Sequence, residues 1–244
     1  MARITAKNLV VDFPIYGSQS RSLKKTFIRA ATGGLLARDA GDRVVVRAID
    51  DATFSFTDGD RIGVVGHNGA GKTTLLRVIT GAYEPVSGSI EVVGQVASML
   101  GISVGIESEA TGYENIFLRA AIMGLPPRKV APLVAEICEF AELGDYINMP
   151  IRTYSSGMSM RLAFAISTCV SADIIIMDEW LSVGDAEFSK KAEARLRKIL
   201  DRAKILVIAS HNETLIRKNC NKIIHLSHGK LERIEELGAR TVAS

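Results

Sequence analysis

Three stretches of this chain are apolar without interruption by alternating polar residues: Arg61 to Val65 after its first residue, Ala172 to Met177 after Asp173, and Ile205 to Ala209. A strand with one wet face alternates, so these predict strands covered on both faces, as in a mostly parallel sheet flanked by helices. Between and around them the period changes. Thr73 to Ile79 reads as a helix ended by Gly81, and Met160 to Val170 as another. Tyr113 to Met123 and Pro126 to Ala141 also have helical periodicity, with Pro126-Pro127 as a start and Gly144 as a stop. These two helices interrupt the α/β order, which predicts a small helical subdomain within about residues 95–170. Lys222 to Leu226 followed by His228-Gly229 predicts a terminal hairpin.

Composition narrows the function classes. At 244 residues with 47% hydrophobic and 23% charged positions, the chain has enough apolar matter for a real core and is not of disordered type. Its longest apolar runs, such as Ile174 to Met177, are far short of the ~20 residues of a membrane helix. Met1 to Thr5 lacks the apolar core of a secretory signal, so a cytosolic location is expected and any membrane partner is a separate polypeptide. Cys138, Cys169 and Cys220 are isolated and predict buried, reduced thiols. A net charge of +3 does not call for nucleic acid, and none is expected as a partner. The charge is concentrated, however. Residues 17–43 hold Arg21, Lys24, Lys25, Arg29, Arg38 and Arg43 against Asp39 and Asp42, a local charge of +4. Leu23 and Phe27 are spaced for a short basic amphipathic helix ending near Gly33-Gly34. Two readings stay open for it: a solvated insertion, or a surface that docks on membrane or partner.

The first stretch with chemistry is Gly66-His67-Asn68-Gly69-Ala70-Gly71-Lys72-Thr73, a complete G-x-x-x-x-G-K-[ST] phosphate loop, continued into the helix by Thr74. It sits between a predicted strand and a predicted helix, the context the motif requires. Gly66, Gly69 and Gly71 allow the backbone amides to turn inward, and the helix N-terminus adds a favourable dipole. Lys72 is expected on the β- and γ-phosphates and the Thr73 hydroxyl on Mg²⁺. The strand at Ile174 ends in Asp178, placed to hold Mg²⁺ through water, and Glu179 next to it can polarise an attacking water as general base. ATP and Mg²⁺ are the implied ligands.

A second short stretch, Tyr154-Ser155-Ser156-Gly157-Met158, lies 21 residues before Asp178. The order of phosphate loop, Ser-Gly signature, Asp-Glu strand and downstream histidine resembles the ATP-binding subunit of ABC transporters over nearly the whole chain. The resemblance implies one ATP-binding domain over residues 1–244 of α/β class: a phosphate-loop ATPase core with a mostly parallel sheet, an antiparallel β portion from the N-terminal third, and the inserted helical subdomain. It places Ser155 and Gly157 on the γ-phosphate side of an ATP held by a second copy, ahead of the helix from Met160. It makes His211, 32 residues beyond Glu179, a switch histidine at the γ-phosphate. Ser182 to Asp185 matches a loop that crosses the dimer interface, with Asp185 its acidic member. Tyr16 is the choice for the aromatic that stacks on adenine, with Phe13 the alternative.

Within the family the chain is most similar to the branch that exports polysaccharides such as O-antigen, capsule or teichoic acid. Thr153 to Met158, Val183 to Ala186 and Thr111 to Ile116 carry that likeness, with the basic insertion after Phe13 to Tyr16. The implied assembly is a homodimer with two copies of a polytopic permease, peripheral on the cytoplasmic face of the inner membrane, hydrolysing ATP to drive export. A soluble ABC-type ATPase that remodels or scaffolds is the rival reading. The family's Mg²⁺-contacting glutamine before Thr111 has no counterpart: Gln95 is too early, and Gly101 occupies its expected place. Some relatives carry a further C-terminal carbohydrate-binding domain; with 13 residues after Leu231, none is expected here.

Overall fold

A computed structural model describes residues 1–14, 35–38, 44–102, 104–179 and 185–237. The chain forms two compact units. The first comprises residues 1–95, 176–179 and 204–244; the second comprises residues 96–175 and 180–203.

The first unit contains an antiparallel sheet and a mostly parallel one. In the antiparallel sheet β1 (Arg3–Pro14) pairs with both β3 (Val44–Thr57) and β5 (Ser87–Val93), while β2 (Leu35–Arg38) pairs with the outer edge of β3. Ile4, Ala6, Leu9 and Val11 of β1 alternate inward and are buried with Ile49, Ala52, Phe54 and Phe56 of β3. This period-2 burial is the signature of a sheet with one face covered. The second sheet contains β4 (Arg61–Val65), parallel to both β8 (Ile205–Ala209) and β9 (Lys222–Ser227), with β10 (Lys230–Glu236) antiparallel to β9. The end of β7 (Ile174–Asp178) lies beyond β8 in strand order. All five residues of β8 are buried, as its unbroken apolar run predicts.

Two helices cover this sheet. α1 (Lys72–Ile79) buries Leu75, Leu76, Val78 and Ile79, and its C-terminal turn closes through Gly81 at φ 76°. The short helix Glu213–Asn219 presses so closely on β4 that a Cβ on Gly63 would stand 2.2 Å from Ile216 Cγ2.

The second unit opens on β6 (Val96–Ser98) and is otherwise largely helical. α2 (Gly112–Ile122) starts on a reciprocal capping box, in which Thr111 accepts from the Glu114 N–H and the Glu114 carboxylate accepts from the Thr111 N–H. The helix predicted over 126–141 is broken into α3 (Pro127–Val130), a 3₁₀ turn (Ala131–Leu133) and α4 (Val134–Ala141). Pro132 is the cause, since it has no N–H to continue the ladder. α4 stops at Ala141 because Glu142 turns left-handed at φ 54°, two residues before the expected Gly144. α5 (Ser156–Ser167) begins four residues earlier than the sequence pattern suggests, because Ser155 caps it. α6 (Ala186–Arg202) follows, capped by Asp185. Phe140, Phe164 and Phe188 form an aromatic cluster among α4, α5 and α6. Arg119 is buried in this unit, donating to Ser167 Oγ and to the Val104 carbonyl; burial lowers its pKa to about 10.

Of the three thiols only Cys220 is buried; Cys138 and Cys169 are half-buried, and none of the three is in a disulfide. No described helix is long and apolar enough to cross a membrane. The basic helix around Leu23 and Phe27, and Gly33-Gly34, lie outside the described residues.

Candidate active site and a second cleft

The phosphate loop runs from β4 into α1. Gly71 is the N-cap of α1 at φ 106°, and a Cβ there would stand 2.5 Å from the Ala48 carbonyl oxygen, so only glycine fits. No acidic side chain occupies the first turn of the helix. Its free N–H groups are therefore available to an anion without competition from a carboxylate. Lys72 folds back over the loop, its ammonium donating to the Gly66 carbonyl at 2.7 Å and the His67 carbonyl at 3.1 Å. The loop is thus closed around a positive charge that a phosphate oxygen can take over.

A cleft of about 390 Å³ opens beside the loop, within the usual range for small-ligand sites. Asn68, Gly69, Gly71, Lys72, Thr73 and Thr74 line it together with Asp178 and Glu179, and Phe13, Val46 and Ala48 supply an apolar wall. Three predicted loop members do not line it. Ala70 is fully buried, a Cβ on Gly66 would stand 2.3 Å from the Leu226 carbonyl oxygen, and His67 turns toward the β9–β10 hairpin. The His67 and His228 rings are 4.4 Å apart, and the His228 N–H donates to His67 Nε2 at 3.3 Å. Gly229 adds a second brace, donating its N–H to the Ala70 carbonyl at 3.0 Å. The hairpin turn therefore backs the phosphate loop.

At the polar end of the cleft the Thr73 hydroxyl donates to Asp178 Oδ2 at 2.7 Å. Two hard oxygen donors in contact suit Mg²⁺, which binds one or two protein oxygens and completes its shell with water and phosphate. Among the described residues no group of three or more His, Cys, Asp or Glu could by itself hold a metal ion.

Glu179 follows immediately, in a left-handed conformation at φ 70° that costs about 1–3 kcal/mol for a residue with a side chain. Its backbone is fixed by a hydrogen bond from its N–H to the Ala209 carbonyl at 2.8 Å. Its carboxylate accepts from Ser210 Oγ at 3.1 Å and pairs with His211 Nδ1 at 2.8 Å. Burial pushes this carboxyl up, but the hydrogen bonds from His211 and Ser210 and the pull of the imidazole outweigh it, holding it below the ordinary carboxylate value. Glu179 is therefore ionised at neutral pH, as a proton acceptor must be.

A separate cleft lies in the second unit, lined by Ser155, Ser156, Gly157, Met158, Met160, Arg161 and Asp185. Ser155 is the N-cap of α5, its Oγ accepting from the Met158 N–H at 3.2 Å, and Gly157 lies in the first turn rather than ahead of the helix. Asp185 accepts from the N–H groups of Phe188 and Glu187 and is ion-paired with Arg161. The Phe188 hydrogen bond is the chief reason its carboxyl sits below the ordinary value, with Arg161 assisting. Arg161 in turn lies over the Phe188 ring, 4.8 Å from its centroid.

Of the residues expected from sequence, most of the loop lines the first cleft with Asp178 and Glu179, His211 pairs with Glu179, and Ser155, Gly157 and Asp185 line the second cleft. Ser210 and Arg161, which the sequence did not single out, touch Glu179 and Asp185 respectively. Tyr16 and Ser182 to Gly184 lie outside the described residues, whereas Phe13 lines the cleft. Gly101 has a local reason to be glycine: it turns left-handed at φ 59° and its carbonyl accepts from the Val104 N–H at 2.8 Å.

Fold and first cleft together define a phosphate-loop nucleotide-binding domain of the α/β class. The family model described as "ABC transporter" matches residues 49–182, more than half of the chain, and the chain belongs to that family. The O-antigen export system ATP-binding protein RfbE of Yersinia enterocolitica is 42% identical over 229 residues, covering 94% of this chain and 96% of its own. The teichoic acids export ATP-binding protein TagH of Listeria innocua is 34% identical, over 96% of this chain and 67% of its own. Among solved structures, a dimeric ATP-binding cassette in a post-hydrolysis state bound to ADP and Pi has a TM-score of 0.68, at 18% identity, over 97% of this chain and all of that one. That likeness is one of fold.

Proposed function

We propose that this chain is the ATP-hydrolysing subunit of an exporter that moves a polysaccharide of O-antigen, capsule or teichoic-acid type across the inner membrane. The substrate class rests on the near full-length likeness to an O-antigen export protein. The hydrolytic role rests on one observation above all: the phosphate loop, the Thr73–Asp178 pair and the Glu179–Ser210–His211 cluster are brought together in a single unit.

The residues divide the work as follows. The loop amides and Lys72 hold the β- and γ-phosphates, while Phe13, with Val46 and Ala48, forms the wall for the base. Thr73 and Asp178 would hold Mg²⁺, whose charge offsets that of the phosphate oxygens. Glu179 orients a water and takes its proton as the water oxygen attacks the γ-phosphorus and the bond to the ADP oxygen breaks. Ser210 and His211 aim the Glu179 carboxylate, and His211 is placed to meet the γ-phosphate.

The second cleft has no part in that scheme within its own chain, and we assign it to a second copy. Gly157 supports this. It has no positive φ, and the nearest atom to a Cβ built on it is Ser155 Oγ at 3.8 Å. Among the described residues nothing demands glycine there, although glycine weakens a helix by about 1 kcal/mol relative to alanine. A close-approaching partner does demand it. With one phosphate loop and one signature per chain, two copies form two shared ATP sites in a closed two-fold pair.

The likeness to an O-antigen export protein supports placing the dimer on the cytoplasmic face of the inner membrane, beneath two copies of a polytopic permease. Purification from a detergent extract tests this. The tagged chain brings down a polytopic membrane protein, and cells lacking the chain retain their polymer inside. Recovery of the ATPase without any membrane protein, with export intact in its absence, supports the soluble remodelling ATPase instead.

A further inference from the structure

Tyr83 does not line the first cleft, yet it touches the wall. Its ring meets Phe13 edge-on, with centroids 5.2 Å apart and planes at 74°. Its other contacts run to α1. The Tyr83 hydroxyl accepts from Arg77 Nη1 at 2.6 Å, and its N–H donates to the Arg77 carbonyl at 3.3 Å. The Arg77 guanidinium also lies 5.5 Å from the Tyr83 ring centroid. That same Arg77 carbonyl accepts from the Ala82 N–H and the Thr80 hydroxyl, both at 2.9 Å, so the turn carrying Tyr83 is tied to the last turn of α1. The other end of α1 is the phosphate loop. Phe13, for its part, is fixed by its strand: it sits opposite Val46, and neighbouring Asp12 takes a forked ion pair from Arg47 at 3.0 and 3.1 Å.

We propose that Tyr83, held by Arg77, is a positioning residue for the nucleotide, bracing the Phe13 ring against the helix that carries the phosphate loop. This rests on the reading of Phe13 as the base-stacking residue of the ATP site. A ligand gripped at both ends realises both contacts only when the two grips keep a fixed spacing. Phe13 and the loop belong to different elements, β1 and α1, and Tyr83 touches Phe13 on one side and the last turn of α1 on the other. A half-buried phenyl ring without that brace changes rotamer freely, and base stacking is lost while the phosphate contacts persist.

The test uses the full chain, measuring steady-state ATPase and competition by inorganic tripolyphosphate, which has the phosphates and no base. Tyr83→Leu raises the KM for ATP about fivefold, the range of one aromatic pair, with kcat and the tripolyphosphate inhibition constant unchanged. Tyr83→Phe keeps the ring and loses only the Arg77 bond to its hydroxyl, so its KM rises less. Phe13→Ala raises KM at least as much as Tyr83→Leu, and adding Tyr83→Leu to it brings no further rise. An unchanged KM in Tyr83→Leu, with Phe13→Ala raised, overturns the brace alone. An unchanged KM in Phe13→Ala overturns the base-stacking reading beneath it. Equal weakening of ATP and tripolyphosphate by Tyr83→Leu also overturns the brace, because the defect then lies in α1.

Discussion

Glu179→Gln is expected to slow ATP turnover by about two to four orders of magnitude, the contribution of a positioned general base, while leaving ATP binding intact. Glutamine retains the shape of the side chain and can still accept from Ser210 Oγ. The backbone at 179, held at φ 70° by the bond to the Ala209 carbonyl, is unaffected. What disappears is the ionised oxygen that takes the proton from water. Because His211 and Ser210 keep the Glu179 carboxyl below the ordinary carboxylate value, the parent enzyme has its base ionised across the neutral range. Phosphate release at saturating ATP, paired with equilibrium binding of ATP, separates the two quantities. Turnover in Glu179→Gln equal to that of the parent means that the base lies elsewhere.

Lys72→Ala produces the second large effect, at the binding step. In the described structure the ammonium bridges the carbonyls of Gly66 and His67, which pre-forms a cationic mouth for the β- and γ-phosphates. A charge-assisted hydrogen bond contributes about 1.5–3 kcal/mol, so ATP affinity falls roughly 10- to 100-fold. The fold survives, since Lys72 lies at the start of α1 and the buried residues of that helix, Leu75, Leu76, Val78 and Ile79, are untouched. Titration calorimetry gives the affinity, and circular dichroism confirms the helix content. Retention of parental affinity contradicts the role assigned to Lys72.

Much of the first unit is legible in the sequence because its signals are local. β4, β8 and most of β7 are unbroken apolar runs, and the glycine loop between β4 and α1 has a fixed spacing that chance seldom reproduces. Asp178 and Glu179 are found by their place at the end of such a run. Other features depend on contacts between distant residues, and no spacing reports them. Ser210 becomes important only because β8 lies beside β7, bringing its hydroxyl to Glu179. The support of the phosphate loop by His228 and Gly229 spans about 160 residues of sequence. Phe13 enters the cleft through the register of β1 against β3, which the sequence of one strand alone does not report. Helix boundaries fail for a different reason. One proline, Pro132, splits the helix expected over 126–141, and one side-chain cap, Ser155, moves the start of α5 forward past Gly157. In the second case the shift matters for function, because it places Gly157 in a first turn whose glycine no described neighbour requires.

That placement leads to the central claim, that each ATP site is completed by the signature of a second copy. Mixing two inactive variants measures it directly. Assayed at an ATP concentration well below its own Kd, Lys72→Ala leaves its phosphate loop empty, and Gly157→Asp puts a carboxylate where γ-phosphate is to be met. Each alone turns over little ATP. In a mixed dimer one shared site combines the intact loop of the Gly157→Asp subunit with the intact signature of the Lys72→Ala subunit, while the other site carries both lesions. Shared sites therefore restore up to about a quarter of the parental ATPase in an equimolar mixture, since half of the randomly paired dimers are mixed and each has one sound site. A mixture that stays as inactive as its two components means that loop and signature serve the same chain, and contradicts the account.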